Sequence, residues 1–420
     1  MFGVLTKKSF YPWLVVLLCA SFLFYKYTLQ VFPGIITNNL MDEFHINGAE
    51  LGNMAACYFY AYFFTQIMVG VLLDRFSVRT LSAIAILVSG IGAAWFATTD
   101  HLLDAGLARA LMGFGTAFAT VCYLKSTAMW FKPNQFAFVS GLLATAAMLG
   151  AVFGEAPVAM LVSHFGWRDT FFVIGLVGGL VALFFYIFVA DRPKSEFGLD
   201  VKYGVSWKAI FAVFRKKENW LLTIYSGLTF TPISVFGGLW GVPFLMLKLG
   251  ITKTEAAKMV SLIFIGWAVA SPLWGLFSNA IGRRKPPMYI GACIAMLCMT
   301  LIIYMPYNNI YAYEFLLFVF GIGSAGFLPA FTMARELCSK DYVATGLSFM
   351  NMMNMIGIAL AQPLIGLILD KMWQGEMLGT VRLYPLIAYQ TALGILPLGM
   401  IIALIILPNI KETYCQSVQK

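Results

Sequence analysis

Long apolar runs recur along this chain, and no other feature constrains its fold as strongly. A segment needs roughly 20 apolar residues to cross a bilayer as a helix. Twelve stretches qualify: 11–39, 50–72, 80–98, 102–128, 136–162, 168–190, 219–247, 255–280, 286–305, 311–333, 343–369 and 383–407. Lipid offers no partners to backbone N–H and C=O groups, so each run must close its hydrogen bonds internally. The fold class that follows is an all-α integral membrane protein with twelve transmembrane helices. Charged residues make up 11% of the chain, against about 25% in a soluble domain. The first run, preceded by Lys7 and Lys8, is too long for the core of a cleavable signal and is read as a span.

The net charge of +9 reports orientation rather than a nucleic-acid partner. With the N-terminus inside, 19 Lys and Arg fall on the inner side, six on the outer side and three within spans. This asymmetry places both termini in the cytoplasm and makes the lipid bilayer the expected large partner. The seven cysteines have no metal-ligand spacing and read as buried, reduced thiols. No metal, cofactor or catalytic constellation is expected, so the chain does not read as an enzyme.

The chain also repeats itself. "GVLLDRFSVR" begins at Gly70 and "GLFSNAIGRRK" at Gly275, and "SGL" at Ser140 and "TGL" at Thr345 keep the same offset of 205 residues. Six spans followed by six in the same orientation predict two pseudo-symmetric six-helix bundles, 1–190 and 219–420. Between them, 191–218 reads as a cytoplasmic linker. In it Trp207, Ile210, Phe211 and Phe214 fall at helical spacing among basic residues, as in an interfacial amphipathic helix. "GIGSAG" at Gly321 matches a dinucleotide fingerprint, but lies inside a span and reads as small residues for tight packing.

These motifs resemble the major facilitator superfamily along the whole chain. Gly70, Leu72, Asp74, Arg75 and Arg79 match the loop between spans two and three, with Ser77 replacing a glycine. The second copy keeps Gly275, Gly282, Arg283 and Arg284, with Asn279 in place of Asp. Arg109, Gly113 and Gly115 match R-x-x-x-G-x-G in span four, and Gly166–Arg168 fits the loop before span six. The resemblance implies a bacterial inner-membrane transporter in which Gly70, Asp74, Arg75, Arg79, Arg283 and Arg284 latch the halves in the outward-open state. Physically, Asp74 suits a helix N-terminus, and the arginines suit the inner face.

Charge inside the membrane costs ~2.5–3.5 kcal/mol at a helix centre, so such residues face a cavity or a partner. Lys26 lies near the middle of the first run, either in a cavity or snorkelling. Lys125 lies near the inner end of span four and is expected to snorkel. Arg109 and Glu155 stand at equal depth in spans four and five. They are expected to form a buried ion pair, the alternative being that Arg109 reaches outward. Glu155 is the one acidic residue deep in a span and the candidate proton carrier, with Arg109 as its coupling partner. Tyr58, Tyr62 and Gln66 form a stripe on span two, readable as a solute-binding face or as packing. Asn351 and Asn354 on span eleven are further solute-binding candidates.

The leading expectation is a secondary transporter working by alternating access. It would take up a small carboxylate-bearing solute (an organic acid, amino acid or small peptide) with a proton or other cation gradient, as a monomer. A drug/proton antiporter is the alternative; there Glu155 replaces the proline of the exporters' G-x-x-x-G-P. A non-transporting membrane solute sensor is the alternative of a different class. The charge count yields one direct test: green fluorescent protein fused after residue 420 should fluoresce, whereas an alkaline phosphatase fused there should be inactive.

Overall fold

A computed structural model describes residues 10–131, 133–190, 214–337 and 343–416. Eleven of its helices are long and apolar enough to cross a membrane. Gly48–Arg75, 28 residues long and carrying the polar stripe of span two, completes the twelve. Residues 207–211 of the expected interfacial helix lie outside the described residues. Phe214, at its end, meets Trp220 edge-to-face and packs at a tilt against Phe349.

The first half of the chain comprises α1 (Tyr11–Val31), the short α2 (Thr37–Phe44), α3 (Gly48–Arg75), α4 (Val78–Thr98), α5 (Leu102–Thr116), α6 (Ala119–Trp130), α7 (Pro133–Phe165) and α8 (Trp167–Phe188). The second half comprises α9 (Lys217–Val235), α10 (Gly241–Leu249), α11 (Lys253–Ala280), α12 (Lys285–Tyr304), α13 (Ile310–Ala325), α14 (Pro329–Leu337), α15 (Val343–Lys371), α16 (Leu386–Leu393) and α17 (Ile395–Ile406). A two-stranded hairpin, β1 (Met377–Leu378) and β2 (Val381–Arg382), joins α15 to α16.

Several spans expected to be continuous are broken. Span one stops at Val31 and turns through Phe32–Gly34, short of the expected residue 39. Span four divides at Ala117–Phe118, span seven passes through a π-type turn at Phe236–Trp240, and span ten divides after Gly326. These are every third span, and span twelve divides as well, at Gly394. Glycine or proline accompanies each break: Pro33 and Gly34, Gly113 and Gly115, Gly237, Gly238 and Pro243, Gly326 and Pro329, Gly394 and Pro397. Proline withholds an N–H from the ladder and glycine weakens the turn.

The duplication extends to helix caps. Asn47 and Glu50 form a reciprocal capping box at the start of α3. Thr252 and Glu255 repeat it at the start of α11, 205 residues on. Glycines set the close approaches. A side chain on Gly321 would place its Cβ 2.0 Å from the Ile263 carbonyl, and one on Gly90 would lie 2.8 Å from that of Gly175. "GIGSAG" is thus a packing surface, as its place in a span implied.

Two seams join the halves, α3 against α15 and α7 against α11. On the side that the charge count assigns to the exterior, called outer below, the α3–α15 seam is tightly closed. A Cβ on Gly366 would lie 2.0 Å from the Gly48 carbonyl, and one on Gly52 would lie 2.6 Å from that of Gln362. Asp370, at the outer end of α15, accepts from the N–H groups of Gly48 (3.1 Å) and Ala49 (2.8 Å) of the opposite half. It therefore caps the positive end of α3. Arg382 (3.2 Å) and Tyr384 (2.5 Å), from its own half, hold the same carboxylate in place. Burial and that carboxylate raise the Tyr384 phenol above its ordinary range, so it remains a donor. Thr380, at the hairpin tip, hydrogen-bonds Asp42, and Lys253 donates to Asn39 at 2.7 Å.

Hydrogen bonds to a charged group are worth about 1.5–3 kcal/mol, and 1.4 kcal/mol is tenfold in an equilibrium. Asp370→Ala is therefore expected to speed amide exchange at the start of α3 by about tenfold or more, measured by hydrogen–deuterium exchange on the peptide covering 45–54.

Candidate functional site

The structure brings four of the expected residues into one cluster within the first half. Arg109, wholly buried on α5, reaches α1 and α3, and glycines let α3 and α4 close in on α5. A Cβ on Gly113 would lie 2.0 Å from the Tyr58 carbonyl of α3, and one on Gly115 would lie 2.3 Å from the Ala85 carbonyl of α4. The motif R-x-x-x-G-x-G thus has a physical content: two glycines admit two neighbouring backbones, and the arginine fills the space beside them.

Tyr58 and Tyr62, one turn apart on α3, stack with ring centroids 6.3 Å apart. The Lys26 ammonium donates to the Tyr62 hydroxyl at 3.2 Å and lies 4.5 Å from the Tyr27 ring centre and 4.9 Å from that of Tyr62. The Arg109 guanidinium lies 4.7 Å from the Tyr58 ring centre and 5.0 Å from that of Phe32. The Tyr58 and Thr116 hydroxyls are hydrogen-bonded at 2.7 Å. The stripe is therefore a platform between two cations as well as packing. Lys26 is only 2% exposed, so it stays in the interior and does not snorkel. Lys125, by contrast, donates to the Leu73 carbonyl near the inner end of α3.

The expected Arg109–Glu155 ion pair is not formed. Arg109 donates instead to the backbone carbonyls of Leu29 (2.7 Å) and Ala55 (3.4 Å). Both carboxyl oxygens of Glu155 are buried without a donor. Equal depth was insufficient because α1 packs against both helices. Its Phe24, Thr28 and Val31 meet Gly150 and Gly154 of α7, while Leu29, on another face, takes Arg109. Among the described residues neither Lys26 nor Arg109 is paired with a carboxylate.

The remaining expected residues are distributed elsewhere. Gln66 continues the stripe with its side-chain oxygen unpaired. Asn354 is buried and accepts from Ser226 at 2.9 Å inside the second half, and Asn351 is half-buried near it on α15. In the loop between spans two and three, expected to act as a latch, Arg75 is exposed and Arg79 stacks 4.3 Å from the Tyr186 ring centre. Gly70 lies in α3; the Asp74 side chain lies outside what the structure describes. In the second copy, Arg284 donates to Glu336 (2.7 Å) and to Asn279 (2.7 Å), so Asn279 supplies an acceptor where the family has Asp. Arg283 lies 5.9 Å from the Tyr414 ring centre. These partners all lie within the second half.

The sequence reading missed Tyr27, Thr116 and the Leu29 carbonyl, and at the outer seam Asp370, Tyr384 and Tyr60. Pro33 was the available signal for Leu29, since a proline beyond the first turn of a span leaves one carbonyl without its N–H. The signal for Tyr60 was similar: its hydroxyl donates at 3.1 Å to Ala359, four residues before Pro363.

Comparison with known proteins places this geometry. The "uncharacterized transporter YybO" of Bacillus subtilis (strain 168) is 31% identical over 184 residues, covering 44% of this chain and 42% of that protein. The hexuronate transporter of the same organism is 21% identical, covering 62% of this chain and 63% of that protein. The chain thus spans less than two thirds of these relatives' length. The membrane sensor protein UhpC of Escherichia coli (strain K12) is 22% identical over 82% of each chain. A solved bacterial homologue of the human lysosomal transporter Spinster, inward-facing and occupied, superposes with a TM-score of 0.78 at 15% identity, covering 96% of this chain and 97% of that one. The model of the Major Facilitator Superfamily matches residues 15–242 and 222–413. Twelve spans in two repeated halves, with an arginine and two packing glycines in span four, are therefore those of a chain that belongs to the major facilitator superfamily of membrane transporters.

Proposed function

We propose that this protein is a secondary transporter of the bacterial inner membrane that takes up a small carboxylate-bearing solute together with protons by alternating access. One observation carries the reading. Lys26 and Arg109 flank the Tyr58–Tyr62 stack, and neither has a carboxylate partner among the described residues. Two desolvated cations beside an aromatic platform favour an anion, and the arginine fork suits a carboxylate. Asn351 and Asn354 of the second half, with Gln66, supply hydrogen bonds to the rest of the solute. The likeness to the hexuronate transporter supports the same solute class.

In this reading residues 1–190 and 219–420 rock about the solute as a monomer, joined by 191–218, with both termini cytoplasmic. The structure's tightly closed outer seam suits a state that has delivered its solute inward. The loops holding Gly70, Asp74, Arg75 and Arg79, and Arg283 and Arg284, act in the opposite state. Glu155 carries the proton: a carboxyl with two unfilled acceptors in a closed site can take one up when access changes. Its coupling partner Arg109 is held by Leu29 in the present state and is free to meet Glu155 or the solute in another.

The second reading, a solute sensor without transport, is favoured by the likeness to UhpC over most of the chain. Counterflow in proteoliposomes separates the two, since a sensor binds solute without exchanging it. The solute class is checked by a thermal-shift panel of sugar acids, amino acids, dipeptides and cationic drugs. Carboxylates are expected to stabilise the wild type, and Lys26→Ala and Arg109→Ala to lose at least tenfold in apparent affinity. Stabilisation by cationic drugs alone would turn the reading to efflux. For coupling, Glu155→Gln should keep counterflow but lose accumulation driven by a pH gradient; unchanged accumulation would remove Glu155 from the mechanism.

A further inference from the structure

Arg109 is wholly buried with no carboxylate partner among the described residues, and the acceptor that holds it exists because of a proline. In a regular helix the Leu29 carbonyl accepts the N–H of residue 33. Residue 33 is Pro33, which has none, and the chain turns there through Phe32–Gly34. The Leu29 oxygen is thus an acceptor left over in the interior of a membrane protein, where an unfilled backbone group is costly. The Arg109 guanidinium donates to it at 2.7 Å, the shortest of its contacts. Ala55, at 3.4 Å, and the Met112 sulfur, at 3.8 Å, are the others, with Phe32 and Tyr58 against its faces.

We infer that Pro33 is a positioning residue for Arg109: by withholding an N–H from Leu29 it creates a neutral berth that holds the guanidinium away from Glu155. The berth carries no charge, so it satisfies the donor without cancelling the cation. Glu155, reached from a different face of α1, keeps both oxygens unpaired in the same state. A carboxylate in place of the berth would neutralise Arg109 permanently. A backbone carbonyl lets the arginine leave for an anion when one arrives. The same chemistry recurs between the halves, where Pro363 frees the Ala359 carbonyl and the Tyr60 hydroxyl takes it at 3.1 Å. The functional consequence rests on the anion-transport reading above; the berth itself does not.

The experiment compares three residues at position 33: proline, alanine (which restores the N–H), and lactic acid introduced by nonsense suppression (which replaces the N–H by an ester oxygen without a ring). Each is combined with Arg109→Met, and the unfolding midpoint of the purified protein is measured without solute. Arg109→Met should lower the midpoint by several degrees in the proline protein and by less than half as much in the alanine protein. The ester should restore the full loss. Additive losses in the alanine protein, or an ester that behaves as alanine, would overturn the inference, because a kink acting through ring geometry alone predicts both. Should the alanine protein not be recoverable, the ester protein decides by keeping or losing the effect of Arg109→Met. D-glucuronate is the transport probe: Pro33→Ala should raise its half-saturating concentration in counterflow by about tenfold, with the ester within twofold of wild type. A wild type indifferent to D-glucuronate, with the midpoints as expected, leaves the berth standing and removes that solute.

Discussion

Every backbone N–H and C=O within the bilayer must find a partner inside the protein, and the rest of this structure follows from that requirement. It makes the twelve spans helical. It also makes each proline inside a span consequential, because a carbonyl four residues earlier is left open. At Leu29 the open carbonyl is filled by the site arginine, and at Ala359 by a tyrosine from the opposite half. Breaks that would weaken a soluble helix thus become attachment points between helices.

Glycine supplies the complementary condition. Without the hydrophobic effect to drive helices together in lipid, close backbone approach supplies the packing. Gly113 and Gly115 bring α3 and α4 against α5, and Gly150 and Gly154 bring α1 against α7. These contacts place Arg109, Tyr58 and Lys26 in one cluster although they come from three separate spans. At the outer seam Gly48, Gly52 and Gly366 do the same between the halves, and Asp370 adds the charge that caps α3. The outer seam and the cation cluster are therefore built on one principle, with helix backbones in contact and polar side chains finishing the surface.

Much of this was legible in the sequence. The spans, the 205-residue repeat and the packing role of "GIGSAG" follow from hydropathy and small residues, because lipid leaves so few alternatives. Lys26 and Arg109 were legible as charges lying within spans, while the Tyr58–Tyr62 stripe read equally as packing and Lys26 equally as a snorkelling residue. The Arg109–Glu155 pair was misread because depth along a helix axis says nothing about which helix lies between two others. The outer hairpin, Asp370 and Tyr384 went unrecognised because they stand at or between span ends, where hydropathy fixes no partner, and Gly48, which Asp370 and Tyr384 hold, is more than 300 positions away.

What the sequence by itself determined is the class of molecule: a twelve-helix membrane chain, duplicated, with a few ionisable side chains buried in its first half. The solvent dictates these, since apolar length and charge cost are properties of single segments. Only the tertiary structure decided the partners: that Arg109 rests on a backbone carbonyl, that Glu155 stands unpaired, and that α3 and α15 close the outer side. Partner choice depends on helix rotation and order, which short-range contacts between distant segments fix and no single segment encodes.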